Sequence, residues 1–330
     1  MPDDPRLADF PILTELGEQL DAGFRRRAAR RLPPVRNCLV VAATVAFAIG
    51  IALAVGLQEQ GLSPSEASAA ATLRDAAGAA DAQPAVLVKP RQYFYVRWLT
   101  SALIPVRKNP STPLPRSSIG VPRASVSVEA WEFWSPTRVG RIDGRVLGVA
   151  FPNDAAQSRW QRLGRPPLST AVLGSVPSAI SPLGETIPVG RSSLTARQLL
   201  ALPSNPRAIY RHLFAAGTAY GALDLVRSLD VYPIRPMLRA ALYRALALVP
   251  GIVSVGKAVT LTGRVGTAIG AQDPDRAVRD ELIIDPHNGD LLGSRTVVIN
   301  VHAENLPRGT VISQTAIVQS TVTNSLSQPK

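Results

Sequence analysis

The longest apolar stretch of the chain runs from Cys38 to Leu57 and holds twenty residues without a charge. At about 1.5 Å per helical residue it reaches roughly 30 Å, the thickness of a bilayer's hydrocarbon core. Only a helix satisfies all of its own backbone groups there, so the pattern predicts a spanning helix at 38–57. Six arginines (Arg25, Arg26, Arg27, Arg30, Arg31 and Arg36) precede it, and the twenty residues after it hold one basic side chain, Arg74. By the positive-inside rule the N-terminus stays in the cytoplasm and the C-terminal mass lies outside the cell membrane. A cleaved leader is the rival, with Arg30-Arg31 as a twin-arginine pair and Ala67-Ser68-Ala69 as the cut. However, the apolar run exceeds the usual leader core of about 7–15 residues, and Leu32-Pro33-Pro34 follows the arginine pair. The uncleaved anchor is the better reading. Ala42, Ala46, Gly50 and Ala54 recur every four residues, a small-residue ladder along which two such helices would approach as a homodimer.

Within the tail, residues 1–37, Leu13, Leu16, Leu20 and Phe24 recur at helical spacing behind Pro11. Such a stripe docks on a cytoplasmic partner, lies along the membrane or frays. Residues 58–84, rich in alanine and serine without a sustained apolar period, read as a stalk. The folded domain is then expected at 85–330. Gln92–Trp98 and Val126–Trp134 are aromatic and β-branched, which predicts strands, and Arg141–Phe151 reads as a third strand preceded by a turn at Asp143-Gly144. Residues 152–190 are rich in proline, serine and glycine and give no clear period. Helices are expected after Ser193, from Pro206 to Phe214, from Tyr220 to Leu229 and from Arg235 to Val249. In the last of these, Leu238, Leu242 and Leu246 share a face with Ala241 and Ala245. Further strands follow at 252–255, 258–261, 265–269, 281–285, 291–301 and 311–322, with Asn288-Gly289 as a hairpin turn. Runs of strands and runs of helices, rather than strict alternation, predict an α+β fold with an antiparallel sheet packed with helices.

Charge adds a partner to this picture. Basic residues exceed acidic ones by 36 to 24, and the tail accounts for only +1 of the +12. The surplus therefore lies beyond the apolar run, where anionic lipid heads or wall polymers are the counterparts. No nucleic-acid motif accompanies it, so nucleic acid is not an expected partner. One cysteine, Cys38, excludes an intramolecular disulfide.

Catalytic signals are sparse. His212, His287 and His302 stand far apart without metal-ligand spacing, and no G-x-S-x-G elbow occurs. Asp285 to Asp290 holds two carboxylates near a glycine but lacks the alternating ligands of a calcium loop, so it reads as a turn. Glu129 and Glu132 have the look of a glycosidase pair, yet strand alternation puts them on opposite faces. No enzyme, cofactor or metal is expected. Tyr93, Tyr95, Trp98, Trp131, Phe133 and Trp134 leave two alternatives: a sheet face lining an apolar pocket for a lipid, or ordinary core under the helices.

Leu238–Ile252 (LRAALYRALALVPGI), Gly263–Gly266 (GRVG), Glu281–Gly293 (ELIIDPHNGDLLG), Tyr93–Trp98 (YFYVRW) and Glu129–Pro136 (EAWEFWSP) carry a family likeness. Together they resemble an uncharacterised group of actinobacterial single-pass proteins, often encoded beside extracytoplasmic-function sigma factors. The resemblance implies an architecture similar to lipoprotein carriers and to periplasmic regulators of anti-sigma factors. It implies no catalytic residues. With the topology, it points to an envelope sensor whose tail contacts a cytoplasmic regulator such as a sigma factor. The alternative is an anchored module that binds lipid, lipoprotein or wall polymer.

Overall fold

The computed structural model describes residues 64–327, apart from 109–120, 136, parts of 167–200, 216, 231, 274–276 and 301–305. The apolar run 38–57, its small-residue ladder and the tail stripe Leu13, Leu16, Leu20 and Phe24 lie outside the described residues. Among the described residues no helix is long and apolar enough to cross a membrane.

The folded unit begins earlier than the pattern predicts. Residues expected as a stalk form α1 (Pro64–Asp81), and Ala69, Ala70, Leu73, Ala76, Ala77 and Ala80 are buried in the main core. Those positions do follow a helical period, but alanine contributes so little apolar contrast that the stripe reads as a neutral linker. Alanine is also the best helix former, so α1 has its own reason to be helical.

Nine strands form one antiparallel sheet: β1 (Tyr93–Pro105), β2 (Arg123–Trp134), β3 (Gly140–Ala150), β4 (Ala179–Ser181), β7 (Ile252–Val259), β8 (Val265–Asp273), β9 (Val278–Ile284), β10 (Leu291–Val298) and β11 (Val311–Thr323). Their order is β4-β3-β2-β1-β11-β10-β9-β8-β7, so the first long strand pairs with the last. β5 (Thr186–Val189) and β6 (Ser192–Thr195) make a separate hairpin. Asp143-Gly144 does not precede the third strand but lies inside it, opposite Trp131 and Ala130. Register shifts interrupt the β1–β11, β2–β3, β7–β8, β9–β10 and β10–β11 pairings, and such bulges bend and coil a sheet. The bend is large at one end. Gln314 of β11 donates to the carbonyl of Val259 in β7 at 3.1 Å, across four strand spacings that would measure about 19 Å in a flat sheet.

Helices fill one face. α2 (Asp154–Arg162), begun by Asn153 accepting from the Ala156 amide, covers Val106, Ala124, Val126 and Val128. Thr195 and Gln198 exchange the two bonds of a capping box, the helix start expected after Ser193. The segment from Pro206 is helical as expected, with α3 (Pro206–Ile209) passing into a π-turn at Tyr210–Phe214. It is followed by α4 (Ala219–Asp230) and α5 (Pro236–Leu246). α5 is buried at Leu238, Ala240, Ala241, Leu242, Tyr243, Ala245 and Leu246, more than one face of it. A helix apolar nearly all round belongs in the middle of a layer. Its two arginines and the Arg235 that precedes it find acceptors at the margins: Arg235 the Leu202 carbonyl, Arg239 the Asp290 carboxylate, and Arg244 the Asp81 carboxylate of α1.

The β9–β10 turn locks this layer to the sheet. The Asp285 amide donates to the Asp290 carbonyl at 2.9 Å, as the Asn-Gly signal predicts. The Tyr243 hydroxyl, buried on α5, donates to the Gly289 carbonyl at 3.0 Å. Gly289 has φ +72, and a Cβ there would sit 2.4 Å from the Ala76 carbonyl oxygen and 2.8 Å from the Ala80 Cβ. Gly263, in the β7–β8 turn, has φ +80 but open space around it. Gly263→Ala is therefore expected to cost about 1 kcal/mol from backbone strain alone. Gly289→Ala adds a clash with backbone and is expected to cost about 2–4 kcal/mol. Urea unfolding of the two variants checks the difference, and equal losses would contradict this packing.

Candidate functional site

The six aromatic residues expected on one pocket face are divided by strand alternation. Tyr93, Tyr95 and Phe133 are buried, with the half-buried Trp131 packed against them, on the side away from the helices. There the Tyr95 and Phe133 rings meet tilted at 47° with centroids 5.0 Å apart, and the Arg138 guanidinium lies over Tyr93. Trp134 and Trp98, with Phe94 and Val96, face the helices. The cleft they line with Glu132 and Tyr232 is about 10 Å³, room for roughly one water and far too small for an acyl chain. The rings on this face behave as core. Tyr232 closes the cleft against Trp134 at 6.1 Å. Burial first, and the Glu132 charge second, push its phenol above the ordinary tyrosine range.

Glu129 and Glu132 lie on opposite faces as alternation requires, so they do not flank one bond. Glu129 instead belongs to a charged cluster on the side away from the helices. Arg145, directly across the β2–β3 pair, approaches Glu129 Oε2 with Nε at 2.7 Å and Nη2 at 2.6 Å, while Arg97 Nη1 of β1 lies 3.6 Å from Oε1. A second cluster repeats this composition. Glu281 of β9 accepts from Arg279 on its own strand, at 2.9 Å from Nε and 2.7 Å from Nη2, and from Arg295 Nε directly opposite on β10 at 2.6 Å. Gly270 leaves the space, since a Cβ there would meet the Arg279 side chain at 2.9 Å.

Each cluster carries one carboxylate between two guanidiniums and so one net positive charge. Glu281 is fully buried and Glu129 nearly so, whereas Arg145 is two-thirds exposed and the other three arginines are about one-fifth to one-third exposed. A side-on approach uses the Nε–H and one Nη–H, leaving three of the five N–H donors of a guanidinium for another acceptor. Pairing with carboxylate, together with the strand backbone, fixes these arginines in place. No motif in the sequence signals either cluster; the one local trace is Arg279-x-Glu281, which shares a strand face by the period of two.

His287 sits in the exposed β9–β10 turn, His302 lies outside the described residues, and no group of three or more metal-ligating side chains occurs among the described residues. Asp285 and Asn288 spend their side-chain oxygens on the amides of His287 and Asp290, which makes the 285–290 segment a turn.

Two measurements test this site. Glu281→Gln strands two guanidiniums around a buried neutral amide and is expected to cost about 3–5 kcal/mol in denaturant unfolding. Glu129→Gln, beside the well-solvated Arg145, is expected to cost about 1 kcal/mol. For Tyr232, the folded phenol stays protonated while the unfolded one ionises near pH 10. Its contribution is therefore complete below pH 10 and declines above it by about 1.4 kcal/mol per pH unit. Tyr232→Phe is expected to flatten that decline between pH 10 and 11, and an unchanged slope would contradict the burial of this hydroxyl.

No protein-family model and no curated protein matches the chain. Among solved structures, the chain is similar to the MucA/MucB complex of Pseudomonas aeruginosa at 10% identity and a TM-score of 0.24, covering 80% of this chain and 59% of that one. It is also similar to MucB in complex with MucA(peri), at 10% identity, a TM-score of 0.22 and 77% and 55% coverage. MucB alone gives 11% identity, a TM-score of 0.23 and 80% and 61% coverage. The chain thus spans a little over half the length of these structures, and TM-scores this low fix neither its fold nor its function.

Proposed function

We propose that this protein is a non-enzymatic, membrane-anchored envelope sensor. Its folded domain binds an anionic ligand outside the cell, and its tail engages a cytoplasmic regulator such as a sigma factor. The observation that carries the ligand half is the pair of arginine–glutamate–arginine clusters on the side of the sheet away from the helices, each with one cation in excess. A chain whose positive charge is concentrated beyond its apolar run attracts anionic polymer by long-range electrostatics. Guanidiniums already aligned by carboxylates give that attraction directed donors for phosphate or carboxylate groups.

The tail half of the proposal rests on the sequence. Leu13, Leu16, Leu20 and Phe24 form a stripe that a short helix cannot bury alone, and the apolar run 38–57 would place it at the inner leaflet. The family resemblance, with its sigma-factor neighbourhood, supports the same reading. Lipid carriage draws no support from the aromatic residues, because the cleft on their helix-facing side is filled.

The test uses full-length protein in a nonionic detergent, with polyphosphate as the polyanion probe. Binding is expected to weaken steadily as salt rises, and Arg145→Gln combined with Arg97→Gln is expected to weaken it about tenfold with a shallower salt dependence. Binding that ignores both salt and these substitutions would overturn the ligand half. Replacing Leu16 and Leu20 by serine is expected to leave polyphosphate binding unchanged and to abolish capture of the sigma factor. Unchanged capture would overturn the tail half.

A further inference from the structure

A second cationic feature lies on the helical side of the domain. A cleft of about 550 Å³ opens between α1, α5 and the start of α3, lined by Arg74, Asn205, Pro206, Arg207, Arg244 and Leu248. That volume falls within the range of small-ligand sites, about 300–1,000 Å³. Three guanidinium-bearing side chains thus border one space, contributed by three helices that tertiary packing brings together.

Their charges are poorly compensated. Arg244 is held at 3.2 Å by Asp81, which is about as exposed as its partner. Among the described residues no carboxylate makes an ion pair with Arg74 or Arg207. The sequence gives the reason: the positions three and four residues on either side of Arg74 are Ala70, Ala71, Ala77 and Gly78. Around Arg207 they are Pro203, Ser204, Tyr210 and Arg211. An acidic side chain at that spacing would pair with a helix arginine, and here none is offered. Asn205 is occupied in accepting from the Ala208 amide at 3.1 Å.

The rest of the lining is apolar. Pro206 and Leu248 contribute hydrocarbon, and arginine side chains carry three methylenes each below their charge. An occupant matched to both halves has a compact anion for the guanidiniums and an apolar portion for this wall.

We propose that this cleft binds a phosphate-bearing amphiphile, its phosphate held by Arg74, Arg207 and Arg244 and its apolar portion against Pro206 and Leu248. Either a membrane phospholipid or a soluble phosphate ester could supply the headgroup chemistry. The membrane source rests on the anchored reading above, whereas the site itself does not. On that reading the geometry suits a lipid. α1 starts seven residues beyond Leu57, at most about 25 Å of extended chain, and Arg74 lies about 15 Å further along the helix.

The experiment measures binding of four probes to full-length protein in nonionic detergent: short-chain phosphatidylglycerol, short-chain diacylglycerol, glycerol phosphate and inorganic phosphate. Phosphatidylglycerol is expected to bind tightest, with glycerol phosphate and inorganic phosphate about tenfold weaker. Arg74→Gln with Arg207→Gln, both exposed side chains outside any ion pair, is expected to weaken phosphatidylglycerol binding by about tenfold or more while leaving the unfolding midpoint unchanged. Arg145→Gln on the sheet is expected to leave phosphatidylglycerol binding as it was, which separates this site from the proposed polyanion face. Phosphatidylglycerol binding that survives the double substitution, or that phosphate-free diacylglycerol equals, would overturn the proposal. Glycerol phosphate binding as tightly as the lipid would overturn its apolar half.

Discussion

The close approach of α1 to α5 is the constraint on which the helical side of this domain depends. Alanines on both helices remove the side-chain bulk that would hold the two backbones apart, and Gly289 brings the β9–β10 turn against the Ala76 carbonyl and the Ala80 methyl. Packing that tight transmits strain rather than absorbing it. Tyr243 ties the turn to α5, Arg239 ties α5 to Asp290, and Glu66 of α1 accepts from the Gly251 amide where β7 begins. The layer is therefore fixed to the sheet at both ends. The same approach puts Arg74 and Arg244 on the border of one cleft, so the chemistry of that surface follows from the packing beneath it.

The other side of the sheet works by a different principle. There a buried carboxylate stands between two guanidiniums twice over, once across β1, β2 and β3 and once on β9 and β10. Removing a charge from water is costly unless its partner is well placed, and bidentate or doubly donated contacts meet that requirement. The glutamates compensate half of the arginine charge and hold the side chains in place. What is left is an ordered, moderately positive surface rather than a cloud of mobile lysines.

Much of the fold was legible in the chain. Aromatic, β-branched and otherwise strand-like composition located β1, β2, β8 and β11, the Asn288-Gly289 pair located the β9–β10 turn, and the leucine spacing located α5. The losses have physical causes. α1 was missed because its buried stripe is alanine, which barely registers as apolar, and because small polar residues around it resemble a linker. α2 lacks an apolar stripe and depends on its Asn153 cap and on Trp160, which packs against Phe151. The odd and even positions of the aromatic residues assign Tyr93 and Tyr95 to one face and Trp98 to the other, against their grouping by kind. The arginine cleft could not be read locally at all, since its three arginines meet only after α1, α3 and α5 pack. The missing acidic neighbours around Arg74 and Arg207 were the one trace of it in the sequence.

On the reading proposed, the arginine-bearing domain faces the envelope while the arginine-rich tail remains inside. Protease added to intact cells whose wall has been removed, followed by detection of tags at each terminus, tests it most directly. The account predicts loss of the C-terminal tag and survival of a short N-terminal fragment ending near the outer membrane boundary. Survival of the C-terminal tag until the membrane is lysed would contradict it.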